Sequence, residues 1–186
     1  MSIQDQYQEH LHALLELQPL SLEAGDAPAL RLLAMPSFDP ELALTLVGGD
    51  APRLTVATLS GSAWYHLSAQ EEAARHTPVL RLDAPARLIT TTHAPAQEVL
   101  ALLATAAAAL PLDRPDPTQS SLGVDGRPVS IGRAEGGYAG LAERWSPRRS
   151  GDAVERLVIA AFGLASAATT DPVLQAALTR AGRSWR

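Results

Sequence analysis

Five histidines are the side chains best suited to metal or acid–base chemistry near neutral pH. His10 and His12 stand two apart on a predicted helix, where side chains diverge by about 200° and cannot share one ion. They read as solvent-facing. His66, His76 and His93 are each isolated near a predicted strand end or loop, so only the fold could bring them together. The carboxylates give no acid–base pair either. Glu71 and Glu72 fit the first turn of a helix, where negative charge suits the dipole, and Asp113 and Asp116 fall in a proline-rich loop.

Nucleophile and phosphate motifs are missing. No G-x-S-x-G occurs, and Ser60-Gly61-Ser62 reads as a turn. The glycine-rich run Gly132 to Gly137 reads as a hairpin turn rather than a phosphate loop. All 15 basic residues are arginine, with no lysine and no cysteine. That excludes a Schiff-base lysine, a Walker-type lysine, a cysteine nucleophile, a disulfide and a cysteine metal site. No cofactor and no metal are implied.

One concentration remains, formed by Tyr138, Arg144, Trp145, Ser146 and Pro147. A guanidinium beside an aromatic face suits a carboxylate or phosphate, or a protein partner. Neighbours on a strand face opposite ways. Trp145 therefore reads as a core anchor, and Arg144 is left as the residue to test for binding. Arg144, Trp145 and Tyr138 are the candidate ligand or partner residues, and none is assigned a catalytic role.

The elements that must position these residues can be read from periodicity. Tyr7, Leu11, Leu14 and Leu15 lie on one face of a helix over Gln4 to Leu17, closed by Pro19. A connector over Ser21 to Pro28 follows. Strands come next: an apolar run at Leu30 to Leu33, a turn over Met35 to Pro40, and two alternating segments at Leu42–Leu46 and Leu54–Thr58. Gly48-Gly49-Asp50-Ala51-Pro52 joins the last two as a hairpin.

Ala63 to Leu67 reads as a short strand. Ser68 then reads as the N-cap of a short helix, with Glu71 at the capping-box position. Arg87 to Thr92 is rich in β-branched residues and reads as a strand. Ala96 to Leu110 is the clearest helix, buried through Val99, Leu102, Leu103, Ala106 and Leu110, and Leu112 to Ser121 is a loop. Asp125-Gly126 marks a turn in a second β region that runs to Trp145. Asp152 and Asp171 open two closing helices, the second with Pro172 at its first position and Gly182 near its end.

The order is one of consecutive hairpins rather than strands alternating with helices. The expected fold is α+β, a mainly antiparallel sheet with helices packed on one face. A chain of 186 residues fits one domain over 1–186, with residues 1–20 and 168–186 as helical extensions. A net charge of −5 gives no basic footprint for nucleic acid. Val99 to Leu112 is too short to span a bilayer, and Met1 to Gln18 does not read as a signal peptide. Together these point to the cytoplasm.

The chain resembles an uncharacterised bacterial domain family on the pieces Ser37-Phe38-Asp39-Pro40, Asp125-Gly126, Tyr138 and Arg144-Trp145-Ser146-Pro147, over roughly residues 29 to 165. Related sequences often carry histidine where Asp39 stands, and a tryptophan where this chain has Pro128-Val129. The resemblance implies a fold and brings no established activity. The leading expectation is a non-enzymatic binding or interaction domain for an unknown protein or a small anionic ligand, with no nucleic acid and no membrane. The alternatives are a hydrolase-like enzyme whose histidines and acids converge only in space, and a structural subunit of a homodimer built on the Ala-rich faces of the last two helices.

Overall fold

Adjacent leucines at Leu32 and Leu33 on one strand must point to opposite sides of a sheet, so both sides need cover. The computed structural model describes residues 3–36, 39–76, 85–92, 94–112, 127–136, 138–146 and 151–183. In it, β1 (Ala29–Ala34) is buried at every position. Its neighbour β2 (Leu42–Val47) is likewise buried throughout. Leu30, Leu32, Ala34, Leu42, Leu44, Leu46, Leu54 and Val56 pack against three helices, α4 (Ala96–Ala109), α5 (Ala153–Ala168) and α6 (Pro172–Gly182). Leu33, Met35, Ala43, Ala57 and Leu59 face the other way. They meet α1 (Ile3–Leu14), its continuation at Leu15, and the start of α3 (Ala63–His76) through Tyr7, Leu11, Leu15 and Ala63. Helices therefore cover both faces of the sheet, not one as expected. The cause is that β1 is apolar on both faces apart from Arg31, itself buried, which leaves no face for water.

Among the described residues the strands form one six-stranded antiparallel sheet, in the order β4-β3-β2-β1-β5-β6. Here β3 is Arg53–Leu59, β4 Arg87–Thr92, β5 Arg127–Glu135 and β6 Tyr138–Ser146. The α+β class and the antiparallel sheet are as the hairpin pattern implies. The β2–β3 hairpin turns where its glycine pair lies. Gly48 donates its N–H to the Pro28 carbonyl at 2.8 Å. A Cβ there would stand 2.9 Å from Pro28 Cγ and 3.1 Å from Leu103 Cδ1, so only glycine lets the hairpin end approach α4 and the start of β1.

The closing helices start where aspartates mark them. The Asp152 carboxylate accepts the Glu155 N–H at 2.7 Å, and Glu155 in return accepts the Gly151 N–H at 2.5 Å. Asp171 accepts from Val173 and Leu174, with Pro172 at the first helical position. Residues 132–135 continue β5 instead of turning, and the turn itself begins at Gly136, whose φ is 56°. The buried Arg133 donates to the Leu110 carbonyl at the end of α4 and pairs with Glu135.

Two further local expectations fail. The connector over Ser21 to Pro28 holds a short helix, α2 (Leu20–Ala24). Ala63 to Leu67 is not a strand but the first turns of α3, so Ser68 lies inside that helix and not at its cap. Ser37, Phe38, the loop from Asp113 onward, Asp125-Gly126 and Pro147 lie outside the described residues. Among the described residues no helix is long and apolar enough to cross a membrane.

Candidate functional site

A helix start leaves backbone N–H groups without partners, and a buried one must find acceptors. The first turn of α3 finds them in Glu41, a fully buried carboxylate in the segment before β2. Glu41 Oε2 accepts the Ala63 N–H at 2.7 Å. Its Oε1 accepts the Trp64 N–H at 3.1 Å, the Tyr7 hydroxyl at 2.7 Å and the Ser62 hydroxyl at 3.4 Å. The Glu41 carbonyl is fixed in turn by the Thr58 hydroxyl at 2.7 Å. Negative charge thus sits at the positive end of the α3 dipole. Burial, then the Glu41 charge and the hydrogen bond to it, push the Tyr7 phenol far above its ordinary range. Tyr7 also packs edge-on to Trp64, with ring centroids 5.1 Å apart.

The same seam brings His10 of α1 against His66 of α3. The rings stack with centroids 5.8 Å apart and planes within 7°. His66 is buried, with its Nε2 3.2 Å from the Gln70 amide nitrogen, and His10 Nε2 is buried without a hydrogen-bond partner among the described residues. Burial, then the neighbouring His66, lower the His10 pKa against the opposing pull of Glu41. His10 is therefore a seam residue rather than the solvent-facing histidine expected. His12, on the exposed side of α1, is lowered by partial desolvation and then by the Arg31 guanidinium. Among the described residues no group of three or more histidine or acidic side chains is set to hold a metal ion.

A second feature lies beside this seam on the same sheet face. Ala43 stands opposite Ala57, and Thr45 opposite Thr55, across the β2–β3 ladder. These four small side chains leave a hollow where leucines fill the neighbouring positions. A cavity of about 280 Å³ results, walled by Leu15 to Gln18 at the end of α1, Glu23 of α2, and Arg87 and Ile89 of edge strand β4. Beside it Arg31, buried in β1, donates from Nε to the Thr45 hydroxyl at 3.1 Å and from Nη1 to the Gln18 carbonyl at 2.7 Å, and pairs with Glu23. Burial pulls the Arg31 pKa down while Glu23 opposes the shift.

The cavity rim is an ion pair between Arg87 and Glu16, whose side chains are 25% and 71% exposed. Glu16 holds φ 51°, the left-handed region, and is the non-glycine residue that does so among the described residues. It closes α1 in a Schellman turn: Leu17 N–H reaches the His12 carbonyl at 2.9 Å, and Glu16 N–H reaches the Ala13 carbonyl at 3.1 Å.

The residues singled out in the sequence lie elsewhere. Tyr138, Arg144 and Trp145 belong to edge strand β6, where they stand opposite Glu135, Val129 and Pro128. Arg144 lies six positions beyond Tyr138, roughly 20 Å along the strand. Their side chains lie outside the described part, as do those of His76 and His93. The residues that do converge, Tyr7, Glu41, His10 and His66, come from three separate segments. One signal was readable in advance: an arginine at position 31, inside an otherwise apolar strand, demands buried partners. Comparison with protein-family models, with curated proteins and with solved structures finds no significant match.

Proposed function

We propose that the chain is a non-enzymatic binding domain, and that the cavity over Ala43, Thr45, Thr55 and Ala57 seats a small molecule bearing a carboxylate. The observation that carries this reading is Glu16. A left-handed non-glycine residue costs about 1–2 kcal/mol. Here that strain aims a carboxylate at Arg87 across the mouth of a cavity. An internal carboxylate already occupies Arg87, and a ligand carboxylate would replace it on the same planar donor fork. The threonine hydroxyls on the floor and the apolar Leu15, Leu17 and Ile89 provide the mixed lining that small ligands need, and the volume suits a compact metabolite.

The His10, His66 and Glu41 seam supports binding over hydrolysis. The Glu41 oxygens already accept four hydrogen bonds, and the Ser62 hydroxyl is turned to Glu41. With its oxygens so engaged, Glu41 is not placed to take a proton from a nucleophile. Calorimetric titration of the full chain with acetate, lactate, succinate and glutamate tests the proposal. At least one should bind near neutral pH, and binding should be lost in Arg87→Gln and in Thr55→Leu, which fills the hollow. Silence across the panel, or binding that survives both substitutions in folded protein, would overturn it.

A further inference from the structure

The helix whose continuation walls the cavity also carries a histidine in cation-hostile surroundings. His10 faces a second imidazole, stacked and parallel, with a buried ring nitrogen that has no acceptor among the described residues. His12, two residues on, lies on the exposed side of the helix. Among the described residues the titratable groups facing His10 are His66 from α3, Glu41 from the segment before β2, and Tyr7 from α1 itself. Glu41 alone favours a charged His10, and its oxygens are already committed to four donors. The chain leaving α1 supplies Leu15, Glu16, Leu17 and Gln18 to the cavity wall.

We propose that α1 is an acid-released cover: protonation of His10 frees it from the sheet and draws its continuation, Leu15 to Gln18, off the cavity wall. A docked α1 keeps the His10 ring nitrogen buried against the stacked His66, whereas a released α1 lets it take a proton from water. The folded-state pKa of His10 is lowered, so docking is fully favourable above about pH 6.5 and weakens as pH falls through and below that value. The proton gained on release steepens the release equilibrium by up to about tenfold per pH unit. The residual core of β1, β2 and β3 with α4, α5 and α6 does not include α1, so the sheet keeps its other layer when α1 leaves. Control of ligand access rests on the ligand seat proposed above; release of the helix does not.

The absence of native cysteine supplies a probe that needs no ligand. In Thr55→Cys the thiol sits on the cavity floor, and in Thr105→Cys it sits exposed on α4 as a reference. Iodoacetamide labelling of the first relative to the second is followed from about pH 7.5 to about pH 5. Amide exchange of α1 and α5 is measured alongside, corrected for intrinsic rates. Relative labelling should rise steeply below about pH 6.5 while α1 amides, and not α5 amides, lose protection. His10→Phe keeps the stacked ring and removes the proton, and it should flatten both curves. His12→Gln, which leaves the seam untouched, should leave both curves as they are, and a flattening there would overturn the assignment to His10. Flat labelling in the unsubstituted background, or equal loss of protection in α1 and α5, would overturn the proposal. Failure of every carboxylate to bind, with acid labelling intact, would remove the ligand seat and leave the released cover standing.

Discussion

The Ala63 amide donates to the Glu41 carboxylate at 2.7 Å, so the first residue of α3 is held by a side chain 22 positions earlier in the chain. This one carboxylate also takes the Tyr7 hydroxyl, and thereby fastens α1, the segment before β2 and α3 together.

Glu41→Ala should lower stability by at least about 3 kcal/mol, because it strands the buried Ala63 N–H, the part-buried Trp64 N–H and a phenol that each lose a charged acceptor. Glu41→Gln should cost less, since its amide oxygen still accepts. Urea unfolding followed by circular dichroism measures both. A loss near zero for the alanine variant would mean that α3 caps itself by other means.

Tyr7 should make the protein alkali-sensitive. Its phenol is held protonated in the fold far above the ordinary value of 10.0, so the folded state keeps a proton that the unfolded chain gives up. The resulting stabilisation is complete below about pH 10 and is lost as pH rises above it, at up to about 1.4 kcal/mol per pH unit. Tyr7→Phe should begin less stable, by about 1–3 kcal/mol, and lack this part of the slope. Urea midpoints between about pH 8 and about pH 11 decide the matter.

Glu16→Gly should separate stability from binding. Glycine adopts φ 51° without strain, which offsets the loss of an exposed ion pair worth under about 1 kcal/mol. The variant should melt at the same temperature as the parent or higher. Carboxylate affinity should change, because Arg87 no longer has its internal competitor. A large drop in melting temperature would show that Glu16 is there for the scaffold.

What the sequence made legible was whatever its own neighbours decide. The glycine pair at Gly48-Gly49, the aspartate caps at Asp152 and Asp171 and the apolar stripe of α4 act within a few residues, and they read correctly. The start of α3 did not, because its cap is Glu41 and not the locally plausible Ser68. Helices on both faces were signalled by Leu32-Leu33 in a strand apolar but for Arg31, a pattern that alternation-based reading passes over. The His10–His66 stack joins two helices that share no sequence pattern, so only the fold brings it together. The hollow over Ala43 and Thr55 is a missing volume, and small residues in a strand look unremarkable until their opposite numbers are known.

The strand order has a consequence for how the chain reaches this state. β1 to β4 follow one another along the sheet as along the sequence, so their ladders close from near neighbours. β5 instead joins the far side of β1, with Ala34 beside Val129, after the whole meander, α3 and α4 have been made. That single seam carries the largest loop-closure entropy in the sheet. Closing the β1–β5 ladder is therefore the step expected to limit folding speed.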